Sequence, residues 1–183
     1  MQQAWIEAQR RIETCRKEKR LWLDLSGLGL TRLPETLSEL VWLERLSVSR
    51  NDLDDIAALA PLTRIHKLAM SHNRIADLTP LRDFGRLKFL FAKHNRIGSL
   101  EALRGIRTLK KLDIHHNPIA SVEPVCGMDA LVYLDLSFSE ITDAQRIARL
   151  EALRWLGLEG CDVSVETIRA LRQALKHLAY MRY

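Results

Sequence analysis

Apolar residues along the chain fall into evenly spaced blocks, and each block closes on one polar residue. The asparagines Asn51, Asn73, Asn95 and Asn117 recur at intervals of 22 residues, each inside the frame LxxLxLxxNxL. The four frames are Leu43, Leu46, Val48, Asn51, Leu53; Ile65, Leu68, Met70, Asn73, Ile75; Leu87, Leu90, Ala92, Asn95, Ile97; and Leu109, Leu112, Ile114, Asn117, Ile119. Two degenerate copies keep the spacing. They run Leu131, Leu134, Leu136, Ser139, Ile141 and Leu153, Leu156, Leu158, Cys161, Val163. An opening copy, Leu23, Leu25, Leu28, Leu30, places Leu28 where the asparagine belongs.

Alternation of period two at the centre of each block predicts a short strand, and the residues after the asparagine turn the chain back. Seven such strands then pair in parallel. A buried asparagine at each turn can pair backbone groups that would otherwise go unpaired, a task that serine and cysteine perform less well. Leu59/Leu62, Leu81/Phe84, Leu103/Ile106, Val125/Met128 and Ile147/Leu150 fill the core from the opposite side. Pro61, Pro80 and Pro124 predict tight 3₁₀ turns there rather than long helices. A solenoid needs capped ends. Trp5, Ala8, Ile12 and Cys15 lie at helical spacing within residues 1–20, and Ser164 N-caps a second stripe of Ile168, Leu171, Leu175 and Leu178. The expected organisation is one structural domain: a helical cap over 1–20, repeats over 21–163, and a helical cap over 164–183.

The frames resemble the leucine-rich-repeat superfamily, with repeats similar to the short internalin type. The stretch LDLSGLGLTRLPETLSEL, Leu23 to Leu40, is similar to the first repeats of bacterial leucine-rich proteins, including those that precede the GTPase module of Roco proteins. The resemblance implies an α/β solenoid, an arc with strands on its concave face and short turns on its convex face, used for protein recognition.

In that arc the side chains flanking the buried positions point to the concave face and stack in columns. One column is Trp22, Arg45, Lys67, Phe89, Lys111, Tyr133, Trp155, every member aromatic or basic. The next is Asp24, Ser47, Ala69, Phe91, Asp113, Asp135, Gly157, and the third is Ser26, Ser49, Ser71, Lys93, His115, Ser137, Glu159. Cation–π contacts are expected between Trp22 and Arg45, and from Lys67 and Lys111 to Phe89. Phe89 and Phe91 form a central apolar spot rimmed by Lys67, Lys93 and Lys111, the composition of an interface anchor. Together with Tyr133, Asp135 and Trp155 these residues form the candidate partner-binding set. The face should be positive at its centre with acidic flanks, suited to an acidic, aromatic-bearing partner segment.

His72, His94 and His116 hold the position before the asparagine, with His115 adjacent. They are candidate pH-sensitive groups facing solvent; the spacing fixes no third ligand at tetrahedral geometry, so no metal is expected.

With 47% hydrophobic residues the chain can bury a continuous core without metal or disulfides. Three widely spread cysteines suit a reducing compartment. Residues 1–20 carry no apolar leader core, and no apolar run approaches the roughly 20 residues that cross a bilayer. A cytoplasmic location is the expectation, with export into a host cell as an effector the alternative. The net charge of +5 favours acidic partners without singling out nucleic acid. RNA binding through the basic and aromatic column is the second reading; Asp24, Asp113, Asp135 and Glu159 oppose it by repelling phosphate. A role as scaffold in a larger assembly is the third. There is no GxxxxGK[ST], HExxH, CxxC or GxSxG, so neither catalysis nor a cofactor is expected. Oligomeric state is left open.

Overall fold

A computed structural model describes residues 2–183. Eight strands of three residues form one open parallel sheet in sequence order. They are β1 (Trp22–Asp24), β2 (Arg45–Ser47), β3 (Lys67–Ala69), β4 (Phe89–Phe91), β5 (Lys111–Asp113), β6 (Tyr133–Asp135), β7 (Trp155–Gly157) and β8 (Tyr180–Arg182). The strands are aligned one to one, so Leu23, Leu46, Leu68, Leu90, Leu112, Leu134 and Leu156 form a single buried row. The alternation that predicts strands therefore also sets which face each side chain takes. Short 3₁₀ segments, such as Thr79–Leu81 and Glu101–Leu103, return the chain on the convex side. Their apolar residues complete one continuous core in which Phe84 is the largest fully buried side chain.

The repeated asparagine has a specific mechanical task. Asn117 is 2% exposed; its Oδ1 accepts from Ile97 N, and its Nδ2 donates to Ala92 O and Ile114 O. Asn51, Asn73 and Asn95 make the corresponding bonds, each fastening its own turn to the preceding repeat. Ile97 N and Ile114 O have no other hydrogen-bond partner among the described residues, whereas Ala92 O is shared with Asn95 Nδ2; a buried backbone group left unpaired costs about 1–3 kcal/mol. The last two repeats are fastened less completely. Cys161 Sγ donates to Leu136 O, whereas the buried Ser139 Oγ has no partner.

A helix packs at each end of the repeats. Helix α1 (Gln2–Lys17) lays Ala8, Ile12 and Cys15 on the first repeat. Helix α2 (Val165–Ala174) starts at Ser164, whose Oγ accepts from Thr167 N, and buries Ile168 and Leu171. The C-terminal helix is shorter than its apolar stripe suggests: Leu175 ends it, and the chain adds β8 to the sheet edge, with Leu156 aligned to Met181. Among the described residues no helix is long and apolar enough to cross a membrane.

Candidate functional site

The first concave column is continuous across the sheet, since Trp22, Arg45, Lys67, Phe89, Lys111, Tyr133, Trp155 and Tyr180 are strand partners in series. Its C-terminal part is an aromatic stack. Tyr133 and Trp155 lie 4.2 Å apart and nearly parallel, Tyr180 follows at 5.8 Å, and Lys111 Nζ sits 3.6 Å over the Tyr133 ring. At the centre, Phe89 and Phe91 are both half-buried on the same face. The cations choose Phe91 rather than Phe89: Lys67 Nζ and Lys111 Nζ stand 5.7 and 5.4 Å from the Phe91 ring. Lysine stems reach diagonally across strands to the neighbouring column, which a reading along one column misses. Trp22 likewise takes its cation from Arg20, at 5.9 Å, and not from Arg45.

The charge pattern also differs from a basic centre with exposed acidic flanks. Asp24 is exposed, but Asp135 is only 7% exposed and lies on the floor under the aromatic stack, where its Oδ1 accepts from Ser137 N. Asp135 is thus withdrawn from the surface that a partner segment would touch. Gly157 makes this possible: a Cβ there would lie 2.3 Å from Asp135 Oδ1 and 2.8 Å from Ser137 Oγ. Burial, with repulsion from Asp135 and Asp113, pushes the Tyr133 hydroxyl up to about 12, so it stays protonated. Burial likewise raises Asp113 and lowers His115, whose Nε2 is 3.8 Å from Asp113 Oδ1.

The histidines form a ladder along one rim, with His72 and His116 exposed as expected and His94 half-buried between them. His72 stacks on His94 at 4.5 Å, His94 on His116 at 4.2 Å, and His116 on Phe138 at 4.3 Å. Local backbone geometry explains the column. Each turn after the strand needs a left-handed residue before the asparagine position, filled in order by Gly27, Arg50, His72, His94, His116, Phe138 and Gly160. Histidine tolerates this conformation better than most side chains, while Phe138 at φ 58° is strained. Partial burial, with repulsion from the neighbouring cations and rings, lowers His72 and takes His94 to about 4. Lys93 lies half-buried between the rim and the central phenylalanines. His115 Nδ1 lies 2.7 Å from His116 Nδ1, which requires a proton on one of them only.

Two contributors went unread in the sequence. Tyr180 extends the aromatic stack, and its signal was the spacing Leu175, Leu178, Met181, which copies Leu150, Leu153, Leu156 in a repeat lacking the asparagine. Phe138 caps the histidine ladder, and its signal was its place in the left-handed column. The cysteines offer no ready nucleophile, because burial raises the Cys15 and Cys161 thiols and pushes Cys126 to about 11.

No family model and no curated protein matches this sequence. Solved structures do. Internalin InlF from Listeria monocytogenes superimposes with a TM-score of 0.81 at 20% identity, over 94% of this chain and 50% of that one. A leucine-rich-repeat protein of Leptospira interrogans gives 0.79 at 19% identity, over 94% and 51%. Internalin C2 of Listeria monocytogenes gives 0.77 at 23% identity, over 88% and 79%. The chain spans about half the length of the first two. Parallel three-residue strands, asparagine-fastened turns, 3₁₀ returns and these likenesses agree on one fold: the chain is a leucine-rich-repeat solenoid of the kind found in internalins.

Proposed function

We propose that the chain is a non-catalytic recognition module that seats a segment of a partner protein on its concave face. The observation that carries this reading is the bracketing of Phe91, beside Phe89, by Lys67 and Lys111 at the middle of an open sheet. Apolar rings held by packing and rimmed by cations are the anchors that concentrate binding energy in protein interfaces. Lys93 and Arg45 widen the cationic rim, and Tyr133, Trp155 and Tyr180 extend the aromatic surface toward the C-terminal end. The matching partner segment is acidic and carries aromatic residues: carboxylates for the lysines, rings for the phenylalanines. Free thiols at Cys15, Cys126 and Cys161 suit work in a reducing cytoplasm, the chain's own or a host cell's.

Affinity capture from the source cell tests the reading, with the wild-type chain against the Phe89→Ala/Phe91→Ala double variant and mass spectrometry as readout. Loss of one specific protein by the double variant, with an unchanged far-UV spectrum, is the expected result. Unchanged capture places the anchor elsewhere. Interleaved cations and aromatics also suit single-stranded RNA, so the same capture is repeated after nuclease treatment and across salt. A complex that vanishes with nuclease and weakens steeply with ionic strength assigns the face to nucleic acid instead; a protein complex survives nuclease and weakens modestly.

A further inference from the structure

We propose that Asp113, His115 and Asp135 form a binding site for a first-row divalent cation on the concave floor. Asp113 and Asp135 are direct strand partners, and His115 follows Asp113 by two residues, so all three side chains share one face. One donor atom from each lies within 4.8 Å of the other two. Small side-chain rotations bring such a set to the roughly 2.0–2.2 Å ligand distances of zinc.

A second observation points to a ligand. Asp113 Oδ1 is buried with no hydrogen-bond partner among the described residues, although burial of an unpaired acceptor is costly. Beside the cluster, on the side of Asp135 that faces the Gly157 gap, Ser137 is 3% exposed and its Oγ is also without a partner. Among the described residues neither carboxylate forms an ion pair with lysine or arginine, and Lys111 is turned over the Tyr133 ring. A divalent ion would balance the two carboxylates and give Asp113 Oδ1 a partner in a single step. The Asp113 and His115 side chains keep 14% and 19% of their surface in contact with solvent, which leaves a way in.

The rim histidines are the competing cluster, since His94, His115 and His116 also bring nitrogens within 4.8 Å. Their geometry is poorer. His94 and His116 are stacked face to face, and in-plane lone pairs of stacked rings do not converge on one ion. Carboxylates with one imidazole suit manganese and zinc better than calcium, which takes oxygen donors.

Titration calorimetry of the chelator-stripped full chain with ZnCl2, MnCl2 and CaCl2 tests the site. The expected result is one zinc per chain, weakened at least about tenfold by Asp113→Asn and by Asp135→Asn and changed less than about threefold by His94→Ala, which breaks the competing cluster without touching the His115–His116 hydrogen bond, each variant checked by far-UV circular dichroism. Absence of saturable zinc or manganese binding by the wild type overturns the proposal. So does binding that survives both aspartate substitutions, or is lost in His94→Ala. Should an aspartate variant fail to fold, imidazole nitrogen NMR of the wild-type chain decides. Zinc must then shift His115 and leave His72 unmoved; a response on the rim rings without His115 sinks the site. None of these readouts involves a partner protein, so this site and the recognition reading stand or fall separately.

Discussion

The repeats that keep the asparagine and the repeats that have lost it divide the molecule into two unlike halves. From Asn51 to Asn117 each turn is fastened to its predecessor by the same amide bonds, and β2 and β3 carry small or simple concave residues such as Ser47 and Ala69. Beyond Asn117 the fastening residue is Ser139 or Cys161. There the concave floor carries a buried aspartate, a glycine that accommodates it, an aromatic stack and a strained phenylalanine. Where the repeat pattern is kept, its frame residues are accounted for by stability. Where it is broken, further side chains appear that stability does not require, as Lys67, Phe89, Phe91 and Lys111 also do at the concave positions of the intact repeats; such residues are the expected signature of function.

The contrast is broken most directly at the fastening position. Asn117→Ala removes the only partners that Ile97 N and Ile114 O have among the described residues, and a loss of about 3 kcal/mol is expected in urea denaturation. Ser139→Ala deletes a hydroxyl that makes no bond and should shift stability by no more than about 0.5 kcal/mol. Equal losses at both positions would erase the difference between the halves.

A smaller effect is expected at the floor. Gly157→Ala drives a methyl group into Asp135, Ser137 and the Trp155 ring and should cost about 1–3 kcal/mol. Gly105→Ala, which meets nothing within 4 Å, serves as the control and should change stability by less than about 0.5 kcal/mol. Thermal melts of the two variants side by side make the comparison.

The weakest effect belongs to the rim. His72 and His94 have folded pKa values below the 6.5 of an ordinary histidine, so below pH 6.5 the unfolded chain takes up protons first. The stability the rings contribute is therefore whole above about pH 6.5 and is lost as pH falls through about 4, the value for His94. In metal-free buffer, His72→Gln/His94→Gln should flatten the urea midpoint between pH 7 and pH 5 relative to wild type. A wild-type slope that persists in the double variant would assign it to other groups.

Periodicity carries most of the scaffold. The buried leucine row, the paired columns and the asparagine bonds all follow from one 22-residue interval, because a parallel sheet in register turns sequence offset directly into spatial neighbourhood. What the interval hides is anything diagonal or aperiodic. The lysines bracket Phe91 from strands on either side, Asp113 meets His115 and Asp135 across two columns, and β8 arrives at a spacing of 25 from Trp155 to Tyr180. Asp135 reads as exposed in sequence because its burial depends on Gly157 one strand away.

Recognition at the centre of the concave face is the claim on which the functional account turns. Its sharpest test is the dissociation constant of the captured partner for the wild-type chain and for Phe89→Ala/Phe91→Ala, by calorimetry at matched salt. Two anchor rings together should be worth about 3 kcal/mol, so the account predicts a loss of about a hundredfold or more with the melting curve preserved. An affinity within threefold of wild type would contradict it.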